Sequence, residues 1–188
     1  DYSFGNMYYD EQQAYFGYQT YAINPVTADP TQTSYNGNVY AGAFSHNYKR
    51  ISTGYNGKVV FNFSTEYANK LYFGLNLNAH FSDFRQTTYF YESNNNNLTD
   101  GLQNIHFNNE LYTLGNGFSM NFGAIYKPIK NVRLGLAYET PTWYRLRDSF
   151  SQWASSYHIE SGVGTSTTVD PNAVMNYQPY RLNSAGKI

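Results

Sequence analysis

The chain contains no cysteine among its 188 residues, and only 13% of its residues are charged, against about 25% in an ordinary soluble domain. The absence of thiols excludes disulfides, thiolate metal sites and cysteine nucleophiles, and it fits an oxidising compartment. Lys and Arg number 12, Asp and Glu number 13, and the formal net charge is −1. Nucleic acid is therefore not an expected partner, because its recognition needs a positive field.

Long apolar runs are missing as well. No stretch approaches the roughly 18 consecutive apolar residues of a membrane-spanning helix, because Asn, Ser, Gly or Thr interrupts every apolar segment. No charged and apolar leader precedes Asp1, so we expect any signal peptide to have been removed or to lie outside this chain. The mean hydropathy of −0.61 argues against a helical membrane protein. It does not argue against a β-barrel, because apolar and polar residues alternate along barrel strands and their hydropathies cancel in the mean.

Aromatic residues are abundant, at 19% of the chain, and many alternate with polar residues. Every second residue is apolar in residues 71–81, and residues 59–67 alternate in the same way. Only residues 68–70, Ala-Asn-Lys, separate the two segments. Period-two alternation predicts two strands joined by a tight hairpin turn.

A second pair of strands is predicted at residues 118–126 and 132–138, joined by the turn Pro-Ile-Lys-Asn at 128–131. Pro128 has no N–H for a β-ladder, so we place it in the turn and not in the sheet. Residues 85–114 and 140–179 are long and polar, and we expect them to be long loops. Short turns on one side and long loops on the other are typical of outer-membrane barrels.

The alternation assigns the strand residues to two faces of a barrel wall. The residues predicted to face lipid are Phe61, Phe63, Leu71, Phe73, Leu75, Leu77, Phe122, Leu134 and Leu136. The residues predicted to face the lumen are Asn62, Asn76, Asn78, Asn121 and Arg133. A lipid-facing Arg near the bilayer midplane costs about 2–4 kcal/mol, so Arg133 is expected to point inward.

A soluble antiparallel sandwich has strands that alternate equally well. Here, however, the polar positions carry Asn, Ser, Gly and His instead of the Lys and Glu usual on a water-facing surface. Tyrosines near strand ends also resemble the aromatic belts of membrane interfaces. These tyrosines are Tyr67, Tyr72, Tyr126, Tyr138 and Tyr144. We therefore favour the membrane barrel.

The first fifty residues carry a weaker pattern. Residues 13–23 are aromatic on both faces and end at Asn24-Pro25, which predicts a strand, and residues 39–51 alternate weakly. Residues 53–57 form either a hairpin or a glycine bulge within one strand from about Phe44 to Tyr67. The bulge keeps every long loop on one side, so we favour it.

Residues 1–188 are expected to be an internal fragment of a single barrel domain. About five or six strand segments are predicted, whereas single-chain outer-membrane barrels begin at about eight strands. An open sheet with residues 13–23 and 181–188 at its free edges would agree with this prediction. The alternative is a small closed barrel in which residues 39–51 and 111–114 supply the missing strands.

No catalytic, cofactor-binding or metal-binding residue is identified. The histidines His46, His80, His106 and His158 show no paired ligand spacing, and we expect His80 to face the lumen or an interface. No phosphate-binding loop, nucleophile elbow or Ser-His-Asp order is visible. The carboxylates of Asp83, Asp100, Glu110, Glu139 and Asp148 are expected to be solvated charges. Trp143, Tyr144 and Trp153 could contact a substrate or partner, but interfacial anchoring is favoured.

Residues 115–128 read Gly-Asn-Gly-Phe-Ser-Met-Asn-Phe-Gly-Ala-Ile-Tyr-Lys-Pro, and residues 132–144 read Val-Arg-Leu-Gly-Leu-Ala-Tyr-Glu-Thr-Pro-Thr-Trp-Tyr. This stretch resembles the FadL-type outer-membrane transporters, in the form found in Bacteroidota. Residues 52–73 and 180–188 also resemble that group.

The resemblance implies a fold and a function. Members of this family are fourteen-stranded antiparallel barrels in the outer membrane of Gram-negative bacteria, with an N-terminal hatch in the lumen. Neither the hatch with its Asn-Pro-Ala motif nor a final strand ending in an aromatic residue is found here, and the ligand-binding residues are unknown.

The implied function is passive uptake of hydrophobic small molecules, fatty-acid-like or aromatic, with no enzymatic activity and no cofactor. The expected partners are outer-membrane lipid, the hydrophobic substrate and other outer-membrane proteins. One alternative is a structural or adaptor barrel docked on a larger complex such as a type IX secretion translocon. Another is a soluble β-domain such as an adhesin.

Overall fold

The computed structural model describes residues 3–29, 31, 34–38, 42–97 and 99–187. Most of the regular structure is antiparallel β-sheet, in agreement with the predicted all-β class. A short 3-10 turn at Phe4–Asn6 precedes the helix α1, Tyr9–Gln19. Within these ranges no helix is both long enough and apolar enough to cross a bilayer.

The described strands form one large and one small sheet. They are β1 (Ile23–Pro25), β2 (Tyr35–Gly37), β3 (Phe44–Tyr67), β4 (Leu71–Asn94), β5 (Gly101–Ile129), β6 (Val132–Glu139), β7 (Trp143–Glu160), β8 (Val163–Val169), β9 (Met175–Asn176) and β10 (Tyr180–Asn183). The large sheet has the order β10-β7-β5-β4-β3; in addition β6 pairs with β5, and β8 and β9 pair with β7. Strands β1 and β2 pair only with each other among the described strands.

The predicted hairpin between residues 67 and 71 is confirmed, since β3 ends at Tyr67 and β4 begins at Leu71. Strand β3 also runs unbroken through residues 53–57, so the hairpin alternative at that point is wrong. Gly54 has φ +151°, and a methyl group there would collide with the backbone of Asp83 in β4. Only glycine fits this conformation and this close approach.

The two long polar loops are wrong predictions. Residues 85–114 belong almost entirely to β4 and β5, and only residues 95–100 connect these strands. Residues 143–169 form a hairpin of β7 and β8, turned by Ser161 and Gly162, which both have positive φ. Asn, Thr and Ser are the commonest residues of these stretches, and the Thr and Tyr among their residues favour a half-buried pleated surface. Their polarity had suggested loops.

Pro128 lies in β5 and not in the turn, which consists of Lys130 and Asn131. The pairing of β5 with β6 shifts register between Tyr126 and Ile129. This irregularity lets the strand continue past a residue that has no N–H to donate.

Helix α1 replaces the strand predicted at residues 13–23. The Glu11 carboxylate accepts the Tyr8 N–H at 2.8 Å and caps the helix start. Gln12, Phe16 and Thr20 are buried, whereas Ala14 and Tyr18, which a strand would place on the same face, are exposed. Burial of every fourth residue alone agrees with a helix. The Phe16 ring packs edge-on against Phe107 of β5 at 5.3 Å. Residues distant in sequence thus decide the conformation of this segment.

The chain divides into two compact units. The first unit contains Asp1–Ser52, Gln86–Leu111 and Ser149–Met175, and the second contains Thr53–Arg85, Tyr112–Asp148 and Asn176–Ile188. In the first unit, the Ser156 hydroxyl of β7 donates to the carbonyl of Thr20 at 2.7 Å and holds the end of α1.

The large sheet is open among the described residues, because its end strands β3 and β10 do not pair with each other. The closed small barrel is therefore not observed in the part of the chain that is described. One edge is β3 and not residues 13–23, whereas the other is β10, which overlaps the predicted segment 181–188. Residues 39–41 of the weak segment 39–51, and residue 188, lie outside the described residues.

Candidate functional site

In residues 73–81 of β4 and 118–122 of β5, within the second unit, the buried polar residues and the large exposed apolar residues occupy alternate positions along the strands. Asn78 of β4 and Ser119 of β5 are 1% and 0% exposed, whereas Phe73 and Phe122 on the same strands are 47% and 45% exposed. Side chains of successive strand residues point to opposite faces. The sheet therefore has a polar face that buries Asn78 and Ser119, and an apolar face that exposes Phe73 and Phe122.

Hydrogen bonds connect the side chains of the polar face. The Asn78 amide donates to the Ser119 hydroxyl at 3.1 Å and to the Asn121 carbonyl at 2.5 Å. The Nε2 atom of His80 lies 2.9 Å from the same Ser119 hydroxyl, and its Nδ1 atom lies 3.4 Å from the Tyr144 hydroxyl. Four polar side chains thus satisfy one another around a buried serine.

A second group of contacts lies on the same face. Asn62 of β3 and Asn76 of β4 are joined through their amide groups. The Lys127 ammonium donates to the Tyr72 hydroxyl at 2.9 Å and lies 4.1 Å from the centre of its ring, and Tyr72 also contacts Glu66 at 3.3 Å. Tyr72 and Tyr144 are therefore polar-face residues, and the likeness of the five tyrosines to the aromatic belt of a membrane interface stays a prediction.

The apolar face carries large side chains that have almost no cover. Leu134 and Leu136 are 60% and 67% exposed, and Phe61 and Phe63 are both 58% exposed. A shallow groove of about 380 Å³ crosses this face. Its apolar lining comes mainly from Phe63, Phe73, Leu75, Phe122, Ala124 and Leu136.

The register of β5 and β6 places the remaining residues. Leu134 and Leu136 lie opposite Tyr126 and Ala124, so they share the apolar face with Phe122. Arg133 directly precedes Leu134, so alternation assigns it to the polar face with Asn121. The division of the predicted residues between two faces is therefore as expected from their alternation.

The four histidines occupy separate environments. His46 contacts the Glu92 carboxylate at 2.7 Å, His106 packs against Tyr91, and His158 is buried and stacked on Tyr21 with ring centres 4.1 Å apart. His80 belongs to the polar face, as described above. In the described ranges no three His, Asp or Glu side chains gather in a way that could hold a metal ion.

Two carboxylates predicted to be solvated charges are bound by neighbouring hydroxyls instead. Asp83 accepts a hydrogen bond from the Tyr112 hydroxyl at 3.0 Å, and this bond raises the pKa of Tyr112. Asp148 accepts from Thr113 at 2.7 Å and from Tyr180 at 3.1 Å. Both carboxylates therefore help to connect neighbouring strands.

The three aromatic residues Trp143, Tyr144 and Trp153 do not form one site. Trp143 is 43% exposed on the apolar face and stacks on Phe118, whereas Tyr144 faces His80. Trp153 lies half-buried in the first unit. Sequence reasoning missed Arg145, which follows this pair and lines two depressions of the second unit. The available signal was that Arg145 directly follows Tyr144 and therefore points to the opposite face of the strand.

Comparison with protein-family models, with curated proteins and with solved structures finds no match to this chain.

Proposed function

We propose that the second unit is a segment of an outer-membrane barrel wall, with its apolar face against lipid and its polar face toward the lumen. The observation that carries this proposal is the inverted burial of the sheet. Asn78 and Ser119 are buried while Leu134 and Leu136 are exposed, the reverse of a domain that folds in water. Continuous apolar surfaces of this kind mark contact with lipid or another protein.

The length of the alternating segment supports a membrane position. A strand rises about 3.3 Å per residue, so residues 71–81 extend over about 36 Å. At a tilt of about 40° they would cover about 28 Å along the membrane normal, which matches the apolar band of about 25 Å in such barrels. Strand β4 continues to Asn94, and its later residues would then lie outside the bilayer.

Spin labels on two neighbouring residues test the membrane position. The chain has no cysteine, so Leu136→Cys and Ala137→Cys each give one labelling site. We expect the label at position 136 to be accessible to molecular oxygen, which concentrates in lipid, and the label at 137 to be accessible to a water-soluble nickel complex. Electron paramagnetic resonance of the reconstituted chain measures both. Equal exposure of both labels to the nickel complex would contradict the proposal.

The narrower function that we propose is passive uptake of hydrophobic small molecules, fatty-acid-like or aromatic. Its support is the resemblance of residues 115–128 and 132–144 to the FadL-type transporters. The groove beside Phe73, Leu75 and Phe122 adds a surface that an acyl chain or an aromatic ring could occupy. Apolar lining with few polar groups is typical of sites for such ligands.

Cells that make or lack the protein test uptake directly. Uptake of radiolabelled oleate and toluene is expected to rise with the protein, while uptake of a small sugar is expected not to change. A parallel rise for the sugar would indicate an open aqueous pore and contradict selective hydrophobic uptake. No change for any solute, together with a stoichiometric partner after purification, would indicate the adaptor function instead.

A further inference from the structure

Three arginines lie together at one end of the face of the second unit that exposes Phe118 and Trp143. Arg181 of β10 lies directly opposite Arg145 of β7 in the ladder, and Arg147 is two residues further along the same face of β7. All three are exposed, whereas Tyr144, Leu146 and Asp148 between and beside them are half-buried. Side chains directly opposite on antiparallel strands have Cβ atoms about 4.5–5.5 Å apart. The side chains of Arg145 and Arg181 therefore leave the backbone at neighbouring points, and their guanidinium groups can lie close together.

Like charges placed opposite each other destabilise a sheet unless something compensates them. Among the described residues, none of these arginines forms an ion pair with a carboxylate. The nearest acid along β7, Asp148, has its carboxylate bound to Thr113 and Tyr180. Within the described part of the chain, the charges of this cluster are therefore not paired with a carboxylate.

The surroundings of the cluster are apolar on one side. Arg145 and Arg181 line a depression of about 600 Å³ together with the aromatic rings of Phe118 and Trp143. The polar side chains of His80, Asn116, Tyr144 and Asn183 also line it. The Phe118 and Trp143 rings stack with centres 6.5 Å apart and planes inclined by 14°. A ligand here would meet guanidinium groups at one end and aromatic carbon at the other.

We propose that Arg145, Arg147 and Arg181 bind the phosphate groups of an outer-leaflet glycolipid of the lipid A type, with its acyl part against Phe118 and Trp143. The proposal rests on the membrane position inferred above. The short turns of outer-membrane barrels lie on the periplasmic side, and this cluster lies on the far side of residues 118–126 from the β5–β6 turn. It therefore faces the outer leaflet.

The chemistry of arginine suits this ligand. A guanidinium group forms two parallel hydrogen bonds to a phosphate, and it does so best where water is partly excluded. A free phosphate would use the charges but not the exposed rings. A lipid headgroup uses both, and its phosphate removes the repulsion between Arg145 and Arg181.

Tryptophan fluorescence of the full chain in detergent micelles measures the binding. Trp153→Phe leaves Trp143 as the reporter beside the site, since the chain has two tryptophans. Diphosphoryl lipid A is expected to change this signal saturably. R145Q/R181Q is expected to weaken binding by about tenfold or more, because it removes charge-assisted hydrogen bonds. R145K/R181K keeps the charges but lacks the planar guanidinium group that forms two parallel hydrogen bonds, and it should recover part of the affinity.

The matched control is K130Q/R133Q, which removes the same charge near the β5–β6 turn and should bind lipid A like the unaltered chain. Equal binding by R145Q/R181Q, or equal competition by inorganic phosphate, would overturn the proposal. If the spin labels contradict the membrane position while lipid A binding still depends on the two arginines, the phosphate site stands and the membrane position fails. The two proposals therefore fail separately.

Discussion

Leu75→Arg is expected to prevent insertion of the sheet into a membrane, whereas Asn76→Arg, one residue further along β4, is expected to be tolerated. Leu75 lines the exposed groove of the apolar face, near the middle of residues 71–81. An arginine facing lipid at the midplane costs about 2–4 kcal/mol, a large part of the stability of most proteins. Asn76 contacts Asn62 on the polar face, where an added guanidinium group can reach water.

The fraction of folded protein in the membrane measures both variants. Folded outer-membrane barrels migrate differently from unfolded chains on unheated denaturing gels, so such a gel of the isolated membrane fraction reports assembly and location together. Both variants add the same charge at adjacent positions, and their difference therefore isolates the direction of the side chain. Assembly of Leu75→Arg at the level of the unaltered chain would refute the assignment of the apolar face to lipid.

The alternation that predicts the two faces is a local property, and this explains its success. A residue in a strand points opposite to its neighbour whatever the strand pairs with, so Leu75 and Asn76 separate before any partner is known. The short turn at residues 68–70 is local in the same sense. Both features are present in the structure as predicted.

The wrong predictions concern features that distant residues decide. Residues 13–23 form α1 because Phe16 packs on Phe107 and Thr20 is held by Ser156, and neither partner is visible in the local pattern. Tyr15, Phe16 and Tyr18 favour strands by propensity, but tertiary packing overrides such preferences. The polar segments were assigned to loops because their polarity indicates contact with water and says nothing about backbone pairing.

The arginine cluster was missed for a related reason. Arg145 and Arg181 become neighbours only through the pairing of β7 with β10, and β8 and β9 intervene between these strands in the chain. In the sequence, each arginine on its own indicates no more than one exposed charge at a strand end. Register across a sheet is set by long-range pairing, which one sequence without its structure does not reveal.

Gly54→Ala is expected to destabilise the second unit by about 3 kcal/mol or more. Gly54 has φ +151°, a conformation that residues with a side chain adopt only at a cost of about 1–3 kcal/mol. The added methyl group would also collide with the carbonyl oxygen of Asp83 and lie 2.9 Å from the Cα atom of Phe84. Because both obstacles are backbone atoms of β4, relief requires the two strands to separate.

Gly74→Ala is the matched control, since a Cβ atom at Gly74 meets nothing within 4 Å. It should change the free energy of unfolding by about 1 kcal/mol or less, because alanine in place of a strand glycine carries little strain and reduces the entropy of the unfolded chain. Urea unfolding followed by tryptophan fluorescence compares the two variants. A loss of stability at Gly54 no larger than at Gly74 would mean that β3 and β4 do not approach closely at this point. Gly54 would then not be the reason why the strand Phe44–Tyr67 runs unbroken through residues 53–57.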